Sequence, residues 1–182
     1  MKNICVHLAN GFEEIEAISI IDVLRRAEIP VTTVSITKKL EVEGAHGITI
    51  IADKLFENVD YESVGMIVLP GGMPGSLNLD NHAGLKGQIL SFHTENKPLG
   101  AICAAPMVFG NLGILEGKEA TCYPGFEKYL HGAKIVEAPT VVSGKIITGK
   151  GAGVAIQFAL KIVEILIDKP TADSLAEKMI VQ

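Results

Sequence analysis

The chain lacks most of the features that would place it in several large functional classes. Its 182 residues contain three cysteines, Cys5, Cys103 and Cys122, and none are spaced as a Cys-x-x-Cys pair. Three thiols cannot close into a disulfide framework, so the expectation is free thiols in a reducing, cytoplasmic setting. The five histidines, His7, His46, His82, His93 and His131, show no His-Glu-x-x-His or other metal-ligand spacing, and no metal is expected. Lysine and arginine total 16 against 21 acidic residues, a net charge of −5 with no basic cluster. That balance argues against a nucleic-acid partner and against an anionic membrane surface. No repeat or Ser/Pro-rich linker interrupts the chain. The opening apolar run is broken by His7 and Asn10 and is unlike a signal peptide. The longest apolar stretch, Gly153 to Ile167, carries Gln157, Lys161 and Glu164. Their spacing makes one polar stripe, which describes an amphipathic helix rather than a membrane span.

What is present is the balance of a globular domain: 48% apolar and 20% charged residues. The length suits a single domain over residues 1–182, large enough to form a core without a metal or disulfide staple. Short β-branched runs alternate with helical segments. Strands are predicted at Asn3–Ala9, Val31–Ile36, Ile48–Ile51, Gly65–Leu69, Leu99–Ile102, Glu119–Cys122 and Lys145–Thr148. Helices are predicted at Glu13–Ala27, His82–Glu95, Ala105–Leu112, Gly125–Leu130, Ala152–Ile167 and Ala172–Met179, with a small antiparallel excursion around Val136–Val142. Several strands are near-continuous apolar runs, as in strands covered on both faces. The alternation predicts an α/β sandwich with a mostly parallel central sheet.

In such sheets chemistry gathers at the carboxyl ends of the strands. Cys103 lies at one such end, flanked by Gly100, Ala101, Ala104 and Ala105, with Pro106 suited to the first turn of the next helix. A side chain at this bend projects like the nucleophile of a strand-to-helix elbow, and the helix start favours a thiolate. Cys5, in mid-strand, reads as core; Cys122, at a strand end, is less defined. Glu16 shares a helix face with Ile20, Val23 and Ala27; partial desolvation there would raise its pKa and let it act as an acid. Glu13 and Glu14 read as first-turn acids complementing the helix dipole. Gly71-Gly72 can bare backbone N–H groups for an oxyanion hole. Gly149-Lys150-Gly151-Ala152-Gly153 precedes a helix and could cradle an anion, though no following strand carries the acid a dinucleotide site needs. His46, in the turn Gly44-Ala45-His46-Gly47, is the most interesting histidine.

Together, Gly11-x-Glu13-Glu14-x-Glu16, Asp22-Val23-Leu24-Arg25-Arg26-Ala27, Leu69-Pro70-Gly71-Gly72 and Ala101-Ile102-Cys103-Ala104-Ala105-Pro106 resemble the ThiJ/PfpI superfamily, and within it the DJ-one-like branch. The resemblance runs over essentially the whole chain. It implies a flavodoxin-like three-layer sandwich, a homodimer, and a cofactor-free cysteine chemistry. Cys103 would be the reactive thiol, Glu16 its protonated partner, and the Gly72 and Ala104 N–H groups the oxyanion site. Gly71, His46 and Lys150 would line the substrate site. The implied substrate is a small reactive carbonyl, as in glyoxalase- or deglycase-like activity.

Three departures qualify this. The peptidase branch carries a histidine directly after the cysteine, where this chain has Ala104. Tyr123-Pro124 stands where the DJ-one-like branch often has histidine-proline, and a phenol is a poor base at neutral pH, although it can donate to an oxyanion. His46 and Lys150 stand at positions of arginines. The rival readings are an oxidative-stress sensor or chaperone using the same thiol, a cysteine amidase or peptidase, which Ala104 disfavours, and a structural binding module.

Overall fold

A computed structural model describes residues 2–181. Strand β1 (Asn3–Leu8) sends Ile4, Val6 and Leu8 into one core and Cys5 into another, the two-residue alternation of a strand buried on both faces. Helix α1 (Glu14–Arg26) follows, and its N-cap is the Glu13 side chain, which accepts the Glu16 N–H at 2.7 Å. Arg25 and Arg26 close its last turn, where they complement the dipole.

Then come β2 (Val31–Ser35), β3 (Glu41–Glu43), β4 (Thr49–Ile51), β5 (Lys54–Leu55) and β6 (Val64–Leu69). Helices α2 (Gly75–Asn81) and α3 (Ala83–Thr94) lead to β7 (Leu99–Ile102) and α4 (Pro106–Asn111). The chain ends through β8 (Glu119–Ala120), β9 (Lys134–Ile135), β10 (Thr140–Ser143), β11 (Ile146–Gly149), α5 (Ala155–Leu166) and α6 (Lys169–Lys178).

Seven strands form the central sheet in the order β10-β11-β7-β6-β1-β2-β5. All neighbours are parallel except the β10–β11 pair. Apolar residues of α1, α5 and α6 cover one face, with Ile20, Leu24 and Phe158 fully buried. Residues of α2, α3 and α4 cover the other, with Leu79, Phe92 and Phe109 at its centre. The architecture is the α/β sandwich with a mostly parallel sheet that the strand–helix alternation predicts, in the flavodoxin-like form that the resemblance implies. Each large buried side chain contributes roughly 1.5–3 kcal/mol by leaving water.

Several predicted elements differ. The strand at Ile48–Ile51 lies outside the main sheet, pairing antiparallel with β3. Glu119–Cys122 shortens to β8, which pairs parallel with β9 in a separate ribbon. Gly125–Leu130 is a single 3-10 turn at Glu127–Tyr129, since Gly125 at φ 94° starts a turn instead of a helix. The antiparallel excursion is β10 against β11.

Candidate active site

Four interior strands, β1, β6, β7 and β11, end side by side, and the loops leaving them build one site. Cys103 follows β7 with φ 63°, a conformation that side-chain-bearing residues rarely adopt and that is typical of strained functional bends. The bend is held from both sides. The Cys103 N–H donates to the Gly149 carbonyl at 2.9 Å, and the Tyr123 N–H donates to the Cys103 carbonyl at 2.8 Å. The thiol is half-buried.

Two loops are laced together beside it. The Glu13 N–H donates to the Gly71 carbonyl at 2.9 Å, and the Gly75 N–H to the Gly11 carbonyl at 3.1 Å. Gly71 sits where nothing larger fits: a Cβ there would lie 2.6 Å from both the Cys103 Cβ and Glu16 Oε2. Gly72, at φ 91°, is equally confined, with the Glu13 nitrogen 2.4 Å from its would-be Cβ.

Glu16 is fully buried. Its Oε2 accepts the Gly71 N–H at 2.7 Å, while Oε1 finds no hydrogen-bond partner among the described residues. Burial pushes its carboxyl up to about 7, opposed by the neighbouring Cys103 thiol and by the Gly71 N–H. Burial likewise pushes the Cys103 thiol up to about 12, and the charge of Glu16 and its hydrogen bond add to this; the N–H groups of Gly72 and Ala104 pull the other way. Burial also raises Cys5 to about 11 and Cys122 to about 12. Among the three thiols, Cys103 alone has backbone N–H groups opposing its rise.

This corrects the expectation of a thiolate stabilised outright by the helix start. The sulfur and the carboxyl compete for a proton, and an ionised Glu16 keeps that proton on sulfur. The Gly71 N–H is committed to Glu16.

The remaining predicted residues lie as follows. Tyr123 is half exposed, its backbone tied to Cys103 and its ring edge-on to Phe126 at 6.4 Å. Lys150 is paired with Glu137 at 2.5 Å. His46 is exposed, and its Nδ1 lies 2.7 Å from Glu14 Oε2; that contact raises the histidine and lowers the carboxyl, whose burial opposes the shift. Glu14 is more than an acid complementing the dipole. It is buried, and its Oε1 accepts the backbone N–H groups of His46 at 2.6 Å and Ile48 at 3.4 Å. No local signal marks that role, because the turn it holds lies some 30 positions downstream.

Glu13, Glu14 and His46 bring ligand-type atoms within 4.8 Å of one another. Their hydrogen bonds to one another and to Glu16 already satisfy this cluster. No described helix is long and apolar enough to cross a membrane.

The DJ-1/PfpI family model matches residues 2–165. Protein dj-1beta of Drosophila melanogaster is 37% identical over 183 residues, covering 99% of this chain and 97% of the relative. Protein DJ-1 homolog B of Arabidopsis thaliana is 39% identical over 173 residues, 94% of this chain and 40% of the relative. The chain thus spans less than half the length of the two Arabidopsis relatives it matches. A Bacillus subtilis relative, provisionally named a cysteine protease, is 32% identical over 152 residues, 82% of this chain and 89% of its own. Among solved structures, oxidized DJ-1 of Toxoplasma gondii superposes with a TM-score of 0.95 at 36% identity, covering 99% of this chain and 98% of that one.

Proposed function

Since this chain belongs to the DJ-1/PfpI family, we propose that it is a cysteine-dependent enzyme acting on small reactive carbonyls, of the glyoxalase or deglycase type. The observation that carries this reading is the buried Glu16 carboxyl, held by the Gly71 N–H on one oxygen and unpartnered on the other, beside Cys103: a Cβ on Gly71 would lie 2.6 Å from both Glu16 Oε2 and the Cys103 Cβ. A carboxyl near 7 is poised to take and return a proton at neutral pH.

For a 2-oxoaldehyde, Cys103 sulfur attacks the aldehyde carbon as its proton passes to Glu16. The Gly72 and Ala104 N–H groups hold the new oxyanion, with the Tyr123 phenol as a further donor, and Glu16 returns the proton to give a hemithioacetal. Glu16 then removes the hydrogen from the former aldehyde carbon as a proton and delivers it to the neighbouring ketone carbon, while the hemithioacetal hydroxyl proton passes to the ketone oxygen. The first carbon is oxidised to a thioester and the second reduced to an alcohol. Water releases a hydroxy acid and restores the thiol. Water is the sole co-reactant, so the scheme calls for no cofactor. A homodimer in the cytoplasm accompanies this reading. Purified protein supplied with methylglyoxal and no glutathione is expected to form lactate, and Cys103→Ser to lose at least about 1000-fold of that rate. Lactate formation untouched by this substitution would overturn the mechanism.

A second reading, an oxidation sensor using the same thiol, is favoured by the oxidized state of the Toxoplasma neighbour. Selective conversion of Cys103 to sulfinate under mild peroxide, without turnover of any carbonyl, would support it. Peptidase action, suggested by the name of the Bacillus relative, is disfavoured by Ala104 and would need Cys103-dependent cleavage of a peptide.

A further inference from the structure

The two chain segments that hydrogen-bond to the Cys103 backbone continue directly into the walls of a surface groove of about 300 Å³. One wall is Tyr123 and Pro124, reached from the N–H that donates to the Cys103 carbonyl. The other is residues 150–154, which follow the Gly149 carbonyl accepting the Cys103 N–H. Apart from the Tyr123 phenol and Lys150, the side chains lining the groove are hydrocarbon or hydrogen, from Pro124, Gly151, Ala152, Gly153 and Val154. The Lys150 ammonium is turned to the exposed Glu137 carboxylate. The Tyr123 ring borders Gly151, where a Cβ would sit 3.4 Å from ring Cδ2. Gly151 has extended backbone, φ 165°, which any residue can adopt, so the missing side chain there leaves room.

We infer that this groove receives the apolar substituent of the molecule that reacts at Cys103, so the preferred carbonyl carries an aromatic or branched hydrocarbon group and not just a methyl or hydrogen. This deepens the reading of Cys103 as a carbonyl-directed nucleophile and rests on it for the nature of the reacting group. The groove itself can be tested without turnover. Second-order alkylation of Cys103 by iodoacetanilide and by iodoacetamide, each divided by the rate with free glutathione, reports whether an aryl group gains from binding beside the sulfur. The expected ratio favours the anilide by about tenfold or more. Tyr123→Phe, which keeps the ring, should retain it. Tyr123→Ala, which removes a wall, and Gly151→Val, which fills the space, should each bring the ratio to near one.

A wild-type ratio near one, or a ratio unmoved by both wall substitutions, overturns the inference. A sulfur inert to both reagents overturns it together with the reading of Cys103 as a nucleophile. In turnover, phenylglyoxal should exceed methylglyoxal in kcat/KM by a similar factor. If neither is converted while the alkylation ratio stays high, the carbonyl chemistry falls and the groove assignment stands.

Discussion

Glu16 is where the pH dependence of the site resides. Its carboxyl is raised from an ordinary value of 4.5 to about 7, so the folded state keeps a proton that the unfolded chain has already released between those values. Stability therefore falls as pH rises from 4.5 to 7 and is level above, by about 3 kcal/mol if the whole shift is expressed. Under the proposed mechanism turnover is expected to run the opposite way, rising through about pH 7 as Glu16 becomes able to accept the thiol proton. Glu16→Gln is expected to lower kcat by about 100-fold or more, to remove that rising limb, and to flatten the stability profile in denaturant melts over the same range. Cys103 and Glu16 were both legible from sequence for local reasons: small residues and Pro106 mark a bend, and a carboxylate on an apolar helix stripe marks desolvation. The direction of the thiol shift was not legible, because it depends first on how deeply the fold buries the sulfur and then on a carboxylate from a distant segment. Nor does the sequence mark that the Gly71 N–H is occupied, since its acceptor Glu16 Oε2 lies 55 positions away.

Among the elements, the hairpin of β3 and β4 depends on one side chain outside it. Glu14 holds the His46 and Ile48 N–H groups, and Gly44 lies so close that a Cβ would stand 2.3 Å from Glu14 Oε1. Glu14→Ala leaves those N–H groups without their acceptor and is expected to cost about 1–3 kcal/mol, with hydrogen exchange quickening at His46 and Ile48 and not in β1 or β7. Amide exchange measured by NMR checks this. The interior strands and α1 and α5 were legible because their apolar spacing is strong and continuous. Strand β3, Glu41-Val42-Glu43, has one buried apolar residue between two exposed acids, and β5 has only two residues, so neither offers a period to read. Helix α2 begins just after Pro74 and contains Gly75. It resembles a loop in sequence, yet its Leu79 is fully buried in the α3-side core. Tertiary burial, absent from local propensity, makes it helical.

At the scale of the whole molecule, one apolar surface stands out. Ile15 and Ile18 on α1 and Ile48 and Ile51 on the adjoining hairpin are 59%, 48%, 54% and 71% exposed, and Ile18 and Ile51 border a common groove. Covering such a patch with a second copy of the chain is the simplest way to remove it from water. Light scattering at micromolar concentration should give the dimer mass, and the double substitution Ile18→Lys, Ile51→Lys should give a folded monomer that melts below the wild-type dimer, because the stabilisation supplied by association is lost. A wild-type monomer would refute the dimer. The sheet order carries a different consequence. The strands that deliver Cys103, Glu16 and Gly72 all lie inboard, while the short margins β5 and β10 border solvent. Gentle warming should fray those margins first, so residual catalysis would be a poor gauge of how much of the protein is still intact.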